Sequence, residues 1–349
     1  MAFTRACRSL FVIGRRKATG TRSLLIEQAL SPVAEALQKE ESLKKADAQA
    51  DIYERRWWEP GVNLAECAAK AGQKALDKCN VKPEDIGMVV YSGVYREEFE
   101  PAASTMVASK LGISEDSIIF DVSNACLGVM NAILEVANHI ELGHIKAGLV
   151  ISAESAREIN ELTIKRLLEG GSLEFFLSSI ATLTGGSGAV GIIVTDGSFG
   201  EQRRKLDCAI IKSASQFNRL CRWGMEKLQN GLERMFMMTN SSAVLKNGII
   251  LALKTWQSFL KATGWTINDI KRTICHQVGM AHQNSLLKAL SIPLDLDFVT
   301  YPYLGNIGPV SLPITAAIAE ERGFLQNGMK TSFMGIGSGL NCMMLGVEW

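Results

Sequence analysis

Val81-Lys-Pro-Glu-Asp-Ile-Gly-Met-Val-Val-Tyr91 is answered, late in the chain, by Trp265-Thr-Ile-Asn-Asp-Ile-Lys-Arg-Thr-Ile-Cys275. Each segment follows an amphipathic helical stretch, turns briefly, passes through Asp-Ile and enters an apolar run of strand length. A second pair, Gly186-Ser-Gly-Ala-Val-Gly-Ile-Ile-Val194 and Gly337-Ser-Gly-Leu-Asn-Cys-Met-Met-Leu345, is in each case a glycine turn feeding an apolar strand. One short apolar run resembles another by chance; two pairs in the same order point to a duplicated fold. The first pair of landmarks is spaced more widely than the second, so the first half carries extra sequence. Arg157–Leu183, helical and rich in Leu, Ile and Phe, is the expected insertion. The junction is expected near Gly197–Gln202, giving halves of 1–198 and 199–349.

Outward from these landmarks, strands alternate with helices. Gly87–Gly93, Ser117–Val122 and Ala147–Ala153 read as buried strands, and Leu64–Lys78, Leu127–Leu142 and Leu251–Thr263 as helices. This pattern predicts an α/β architecture with largely parallel, helix-covered sheets. The chain has 349 residues, 47% of them hydrophobic and 21% charged, enough to bury a large core. Its net charge is +1 and no Lys/Arg block is interleaved with aromatics, which sets nucleic acid aside as a partner. No apolar run approaches the roughly eighteen residues that span a bilayer. The segment from Arg5 to Arg22 is basic, with no acid before Glu27, and faintly resembles a transit peptide. A first strand, Ser9–Gly14, followed by a basic turn is the preferred reading. The eight cysteines are scattered, without C-x-x-C or zinc-ligand spacing. They are expected to be reduced in a cytoplasmic setting, with one or two reactive at most and no metal bound.

Several segments carry potential chemistry. In Ile118-Ile-Phe-Asp-Val-Ser-Asn-Ala-Cys126-Leu-Gly-Val-Met130 a strand runs into a polar turn, and a helix starts at or beside the cysteine. A helix N-terminus favours a thiolate and offers N–H donors to an oxyanion; a small buried apolar cysteine is the alternative. His276 ends the strand Thr273-Ile-Cys275, where site residues of α/β folds collect, and is otherwise a satisfied structural histidine. His139 and His144 lie on a helix and its exit, where a solvated or packed role is expected. Asn306, in Tyr303-Leu-Gly-Asn-Ile-Gly-Pro309, is either a turn residue or an amide aimed at a substrate carbonyl, with a helix following from about Ser311. Gly335-Ile-Gly-Ser-Gly339 lets backbone approach a ligand closely, and is no phosphate loop because the Lys-Ser/Thr is missing. Glu100, between Phe99 and Pro101, is the acid in its loop expected to find an apolar place and act as a base; most such acids are solvated.

Taken together, Asp121-Val-Ser-Asn-Ala-Cys126, Ile274-Cys-His-Gln277, Gly305-Asn-Ile-Gly-Pro309 and Gly335-Ile-Gly-Ser-Gly-Leu-Asn-Cys342 resemble the Cys-His-Asn motifs of ketoacyl synthase III-like enzymes in the thiolase superfamily. Within it the chain is most similar to the OleA-type enzymes of olefin biosynthesis, and Glu100-Pro101 matches their catalytic glutamate. The resemblance implies a five-layered αβαβα fold of two similar halves in a homodimer, with no cofactor beyond the acyl-CoA substrates. It implies that Cys126 carries an acyl group and that Glu100 of the other subunit removes the α-proton of a second acyl-CoA. The product would be a β-keto acid. Backbone N–H groups of Cys126 and Gly339 would form one oxyanion hole, and His276 with Asn306 the other. Gly279 stands where ketoacyl synthase III enzymes have an Asn, which weakens the alternative of a decarboxylating, malonyl-using 3-oxoacyl synthase. A non-catalytic paralogue would have lost the triad. Phe175 and Phe176, with Leu167 and Leu168, are expected either to line acyl channels or to pack a dimer. Arg219 and Arg222, flanking a predicted loop, are candidates for the CoA phosphates.

Overall fold

Both copies of the repeated segment close the same turn. The Asp85 carboxylate accepts the Lys82 N–H at 2.9 Å while its own N–H donates to Lys82 O at 3.0 Å. Asp269 does the same with Thr266, at 2.7 and 3.1 Å. Each makes a one-turn 3-10 helix, Pro83–Asp85 or Ile267–Asp269, and each hands the chain to a strand. The repeated Asp is therefore a cap, a use of the carboxylate that frees the following residues to enter a sheet.

The computed structural model describes the backbone of residues 9–17 and all of residues 52–200, 204–228 and 230–349. Part of the expected junction thus lies outside the described residues. The strands of the first half are β1 (Ser9–Lys17), β2 (Ile86–Ser92), β3 (Ile118–Val122), β4 (Ala147–Glu154) and β5 (Gly188–Thr195). They form one sheet in the order β1-β5-β4-β2-β3. Later come β6 (Lys205–Ser213), a hairpin of β7 (Cys221–Lys227) and β8 (Glu233–Thr239), β9 (Arg272–Cys275), β10 (Lys330–Gly337) and β11 (Asn341–Glu348). Four of them form the second sheet, β6-β11-β10-β9. The orders superimpose: β2 and β4 are parallel like β9 and β10, and β5 is antiparallel to β4 and β1 as β11 is to β10 and β6. Beside β9, where β3 would stand, a lone parallel bridge joins Thr273 to Asp297. The sheets are mixed rather than largely parallel: β11 returns against β10 through the turn at residues 337–339, and β5 comes back antiparallel to β4 after the two helices of the insertion.

The helices are α1 (Leu64–Leu76), α2 (Ala103–Leu111), α3 (Gly128–Glu141), α4 (Arg157–Leu168), α5 (Leu173–Leu183), α6 (Ser241–Thr263), α7 (Met280–Leu290), α8 (Tyr301–Leu304) and α9 (Ser311–Glu321). Strand alternation sorts them into layers. Val89, Tyr91, Leu149 and Ile151 pack on α1 and α2. From the opposite face, Met88, Val90 and Val150 join a cluster with α3, α9 and the second sheet's Phe333, Met343 and Leu345. The far face of that sheet, through Ile210, Met334 and Met344, covers α6 and α7. The result is helix, sheet, helix, sheet, helix: five layers. In the middle layer α9 is buried from Ser311 to Ala319, as a helix between two sheets must be.

The insertion is the pair α4 and α5, against which the hairpin packs. Phe175 and Phe176 are not among the residues lining the cavity that holds Cys126. Phe176 is buried with Trp57, Ile164, Leu167 and Leu183, and the half-buried Phe175 ring carries the Arg166 guanidinium at 4.1 Å. Helix α6 starts ten residues before the expected Leu251, because Asn240 caps it by accepting the Ala243 N–H at 3.0 Å. That first turn is polar and carries no apolar period. Among the described residues no helix is long and apolar enough to cross a membrane.

Candidate active site

Where β3 meets α3, a 3-10 turn of Ala125–Leu127 holds Cys126, with Ala125 in the left-handed region at φ 45°. Gly128 follows because a Cβ there would lie 1.9 Å from Ser92 Oγ. The turn is tied across the molecule: Asn341 Nδ2 donates to Asn124 Oδ1 at 2.9 Å, and Asn124 Nδ2 donates to Asn131 Oδ1 at 2.6 Å. A first-half cysteine is thereby fixed to the second-half turn between β10 and β11. Ser338 and Leu340, on either side of Gly339, share with Cys126 a cavity of about 500 Å³ with mostly apolar walls.

The cysteine is not a resting thiolate. Burial, aided by the Cys221 thiol and the Glu154 carboxyl, pushes it up to about 12, opposed only by its own backbone N–H. The helix proper begins two residues later, and desolvation outweighs its favourable end. Alkylation of the resting protein at Cys126 by iodoacetamide should therefore climb about tenfold per pH unit between pH 7 and 9 without a plateau, since only the thiolate reacts. Mass spectrometry of the labelled peptide reads this, and a plateau near pH 7 would place the thiol far lower.

His276 enters the same cavity from the end of β9, its N–H donating to Met334 O at 2.9 Å. The next residue holds it there. Gln277 donates to Cys275 O at 2.7 Å and accepts the Thr300 and Tyr301 N–H groups at 2.7 and 3.1 Å. Burial, with His282 close by, lowers the His276 pKa to about 3, so the ring is neutral at physiological pH. Its Nδ1 is buried without a hydrogen-bond partner among the described residues. Asn306 reaches the cavity from the loop after α8. Its N–H donates to Thr184 O at 2.9 Å and its carbonyl accepts the Gly186 N–H at 2.8 Å. Gly305, at φ 67° and with Thr184 O 2.3 Å from where a Cβ would be, makes that approach feasible. Asn306 Oδ1 accepts the Gly308 N–H at 3.0 Å and the Ser311 hydroxyl at 3.3 Å. Both leave its Nδ2 as the group with donors to offer. Neutral His276 and the Asn306 amide thus both bring N–H groups to the wall of the cavity that Cys126 shares. Asn306→Ala should lower kcat about 10²-fold while leaving iodoacetamide labelling of Cys126 unchanged.

Other candidates fall apart or arrive unannounced. Arg222 reaches the cavity, from strand β7 and not from a loop, with its guanidinium 5.1 Å from the Phe236 ring. Arg219 is exposed and outside it. Glu100 is also exposed, beside Phe99 at 91%, so within one protomer it has no apolar setting. The hairpin supplies a cavity wall through Cys221, Trp223 and Met237. Glu154, last residue of β4, lines the cavity too, and burial raises its pKa to about 8. An acid ending the apolar run Leu149-Val-Ile-Ser-Ala was the signal available for it, at the strand end where site residues gather.

Two duplicated halves in five layers, meeting at a cavity shared by Cys, His and Asn, are the architecture of a condensing enzyme of the thiolase superfamily. Residues 59–168 match the thiolase N-terminal domain and 260–349 the C-terminal domain of 3-oxoacyl-[acyl-carrier-protein] synthase III. An acyl-CoA:acyl-CoA alkyltransferase of Shewanella oneidensis is 47% identical over 86% of this chain and 87% of its own. Xanthomonas campestris OleA with bound lauric acid and lauroyl-CoA aligns at a TM-score of 0.89 and 30% identity, over 98% of this chain and all of that one. A Xanthomonas oryzae structure described as 3-oxoacyl-(acyl carrier protein) synthase III reaches the same TM-score and identity over all of both chains. The chain belongs to the acyl-CoA:acyl-CoA alkyltransferase (OleA) family.

Proposed function

We propose that the protein joins two long-chain fatty acyl-CoA molecules by a non-decarboxylative Claisen condensation and releases a β-keto acid. The observation that carries this is the convergence of Cys126, His276 and Asn306 on one apolar-walled cavity, together with greater identity to the Shewanella alkyltransferase than to the synthase III relative. The Cys126 sulfur attacks a thioester carbonyl and CoA leaves as its thiol. A base takes the α-proton of the second acyl-CoA, and the resulting carbanion attacks the Cys126 thioester, freeing the cysteine. Hydrolysis of the remaining thioester gives the acid. The His276 and Asn306 donors serve one developing oxyanion, and the N–H groups of Cys126 and Gly339 the other.

The base is the partner subunit's Glu100, in a cytoplasmic homodimer. Two observations support a second copy: the exposure of Phe99 and Glu100, and the neighbouring edge strand β3, apolar in sequence yet with Ile118 41% exposed. A free apolar edge is a pairing surface. The two halves, 1–198 and 199–349, supply the nucleophile and the His-Asn pair respectively, and Arg222 is the cation offered to the CoA end.

Incubating purified protein with one long-chain acyl-CoA and no malonyl donor tests the reading by mass spectrometry. A β-keto acid, or the ketone it decarboxylates to, is the expected product. Acylated Cys126 that waits for malonyl thioester would move the protein to the synthase III reaction.

A further inference from the structure

The loop between β2 and α2, residues 93–102, carries Glu100, and three carboxyl groups hold it. At its exit Asp121 accepts the Ala103 and Ser104 N–H groups at 2.9 and 3.0 Å and the Ser104 hydroxyl at 2.7 Å. Midway, Glu97 accepts the Leu64 N–H at 2.8 Å. At the root, Glu154 uses both oxygens: Oε1 accepts the Val94 N–H at 2.5 Å and Oε2 the Tyr95 N–H at 3.2 Å. Asp121 and Glu97 lie outside the Cys126 cavity, whereas Glu154 is 3% exposed and lines it. Its neighbours brace it. The Tyr91 hydroxyl donates to Ala153 O at 2.9 Å, and Trp58 Nε1 donates to Glu154 O at 3.0 Å.

We propose that Glu154 is a positioning residue for the base: its carboxyl clamps the first two residues of the loop and so aims Glu100 into the partner's site. This rests on the reading of Glu100 as the base. The clamp ties the cavity in which a protomer is acylated to the group that it lends its partner. Glu98 to Glu100 are exposed and lie between the Glu97 and Asp121 anchors, so their direction is set by the three carboxyl groups together, and Glu154 is the one of the three that fixes the root from within the cavity. A misplacement of about 1 Å at a reacting group is enough to cost about 10²-fold in rate.

Glu154→Gln and Glu154→Ala in the full-length enzyme separate positioning from a general structural role. A glutamine keeps one acceptor for the two N–H groups and an alanine keeps none. Three rates are read: acylation of Cys126 by acyl-CoA, exchange of the acyl-CoA α-proton with deuterated solvent, and condensation. Acylation should stay within about twofold, because losing an acid beside Cys126 cannot disfavour its thiolate. Exchange and condensation should fall together, about tenfold in the glutamine variant and about 10²-fold in the alanine variant. Equal loss of acylation and condensation would overturn the proposal, as would no change in any of the three. If the alanine variant fails to fold, the glutamine variant, of the same shape, decides alone. Glu100→Gln in parallel tests the underlying reading: proton exchange that survives it shows that Glu100 is not the base, whatever Glu154 does.

Discussion

Cys126→Ala is expected to leave no acyl-enzyme on incubation with long-chain acyl-CoA and to cut turnover by about 10³-fold or more. A covalent route has no detour when its nucleophile is gone, and what remains is the background that the donors and the cavity supply. Cys126→Ser should fare little better, since a hydroxyl at that place is less acidic than a thiol already pushed up to about 12 by burial. Folding should be spared. The turn is held by Asn124, Asn131 and Asn341 and by the close approach of Gly128 to Ser92, none of which involves the sulfur. Intact-mass spectrometry reads the acyl adduct, and a thermal melt confirms the fold. An adduct of unchanged stoichiometry on the alanine variant would move the nucleophile elsewhere, with Cys221, in the same cavity, the first place to look.

The duplication was legible because its marks are local. Asp85 and Asp269 cap the same turn in both halves, and an Asp three residues behind the N–H that it accepts can be seen in a single chain. Cys126 and His276 were legible for a related reason: one stands just before a helix and the other ends a strand, and such ends face a cavity in layered α/β folds; Asn306, in a loop, was marked only by the glycines on either side of it. What escaped depends on contacts distant in sequence. The direction of β5 and β11 is set by sheet partners: a glycine turn feeding an apolar strand does not say whether that strand runs with or against its neighbour, and both run against it. The hairpin β7–β8 has little period-2 contrast, with Met225, Met235, Met237 and Met238 on both faces, and it takes its place by packing on α4 and α5. Phe175 and Phe176 were apolar in the expected insertion, but which helix face meets the cavity is decided by tertiary packing, and Ile159 and Thr182 meet it instead. For the thiol, the helix end that favours a thiolate is visible in sequence, whereas the burial that pushes its pKa up is not.

Glu100→Gln should give the opposite partition from a lost nucleophile: Cys126 acylates at the parent rate, and the acyl-enzyme then accumulates while condensation falls about 10³-fold, the range of a lost general base. The amide matches the carboxylate in shape, so an exposed position such as 100 loses little stability. A defect of this kind does not by itself say which site the glutamate serves, and the two broken variants together do. In a dimer of one Cys126→Ala chain and one Glu100→Gln chain, base donation across the interface leaves one site with an intact cysteine and the partner's intact glutamate. Base donation within a chain leaves none. Co-expression of the two variants should therefore restore about a quarter of the parent activity, because random pairing makes about half the dimers mixed and each mixed dimer has one good site of two. Activity no greater than that of the two variants measured apart would place Glu100 in its own protomer's reaction. Its exposure beside Phe99 and the free edge of β3 would then need another explanation.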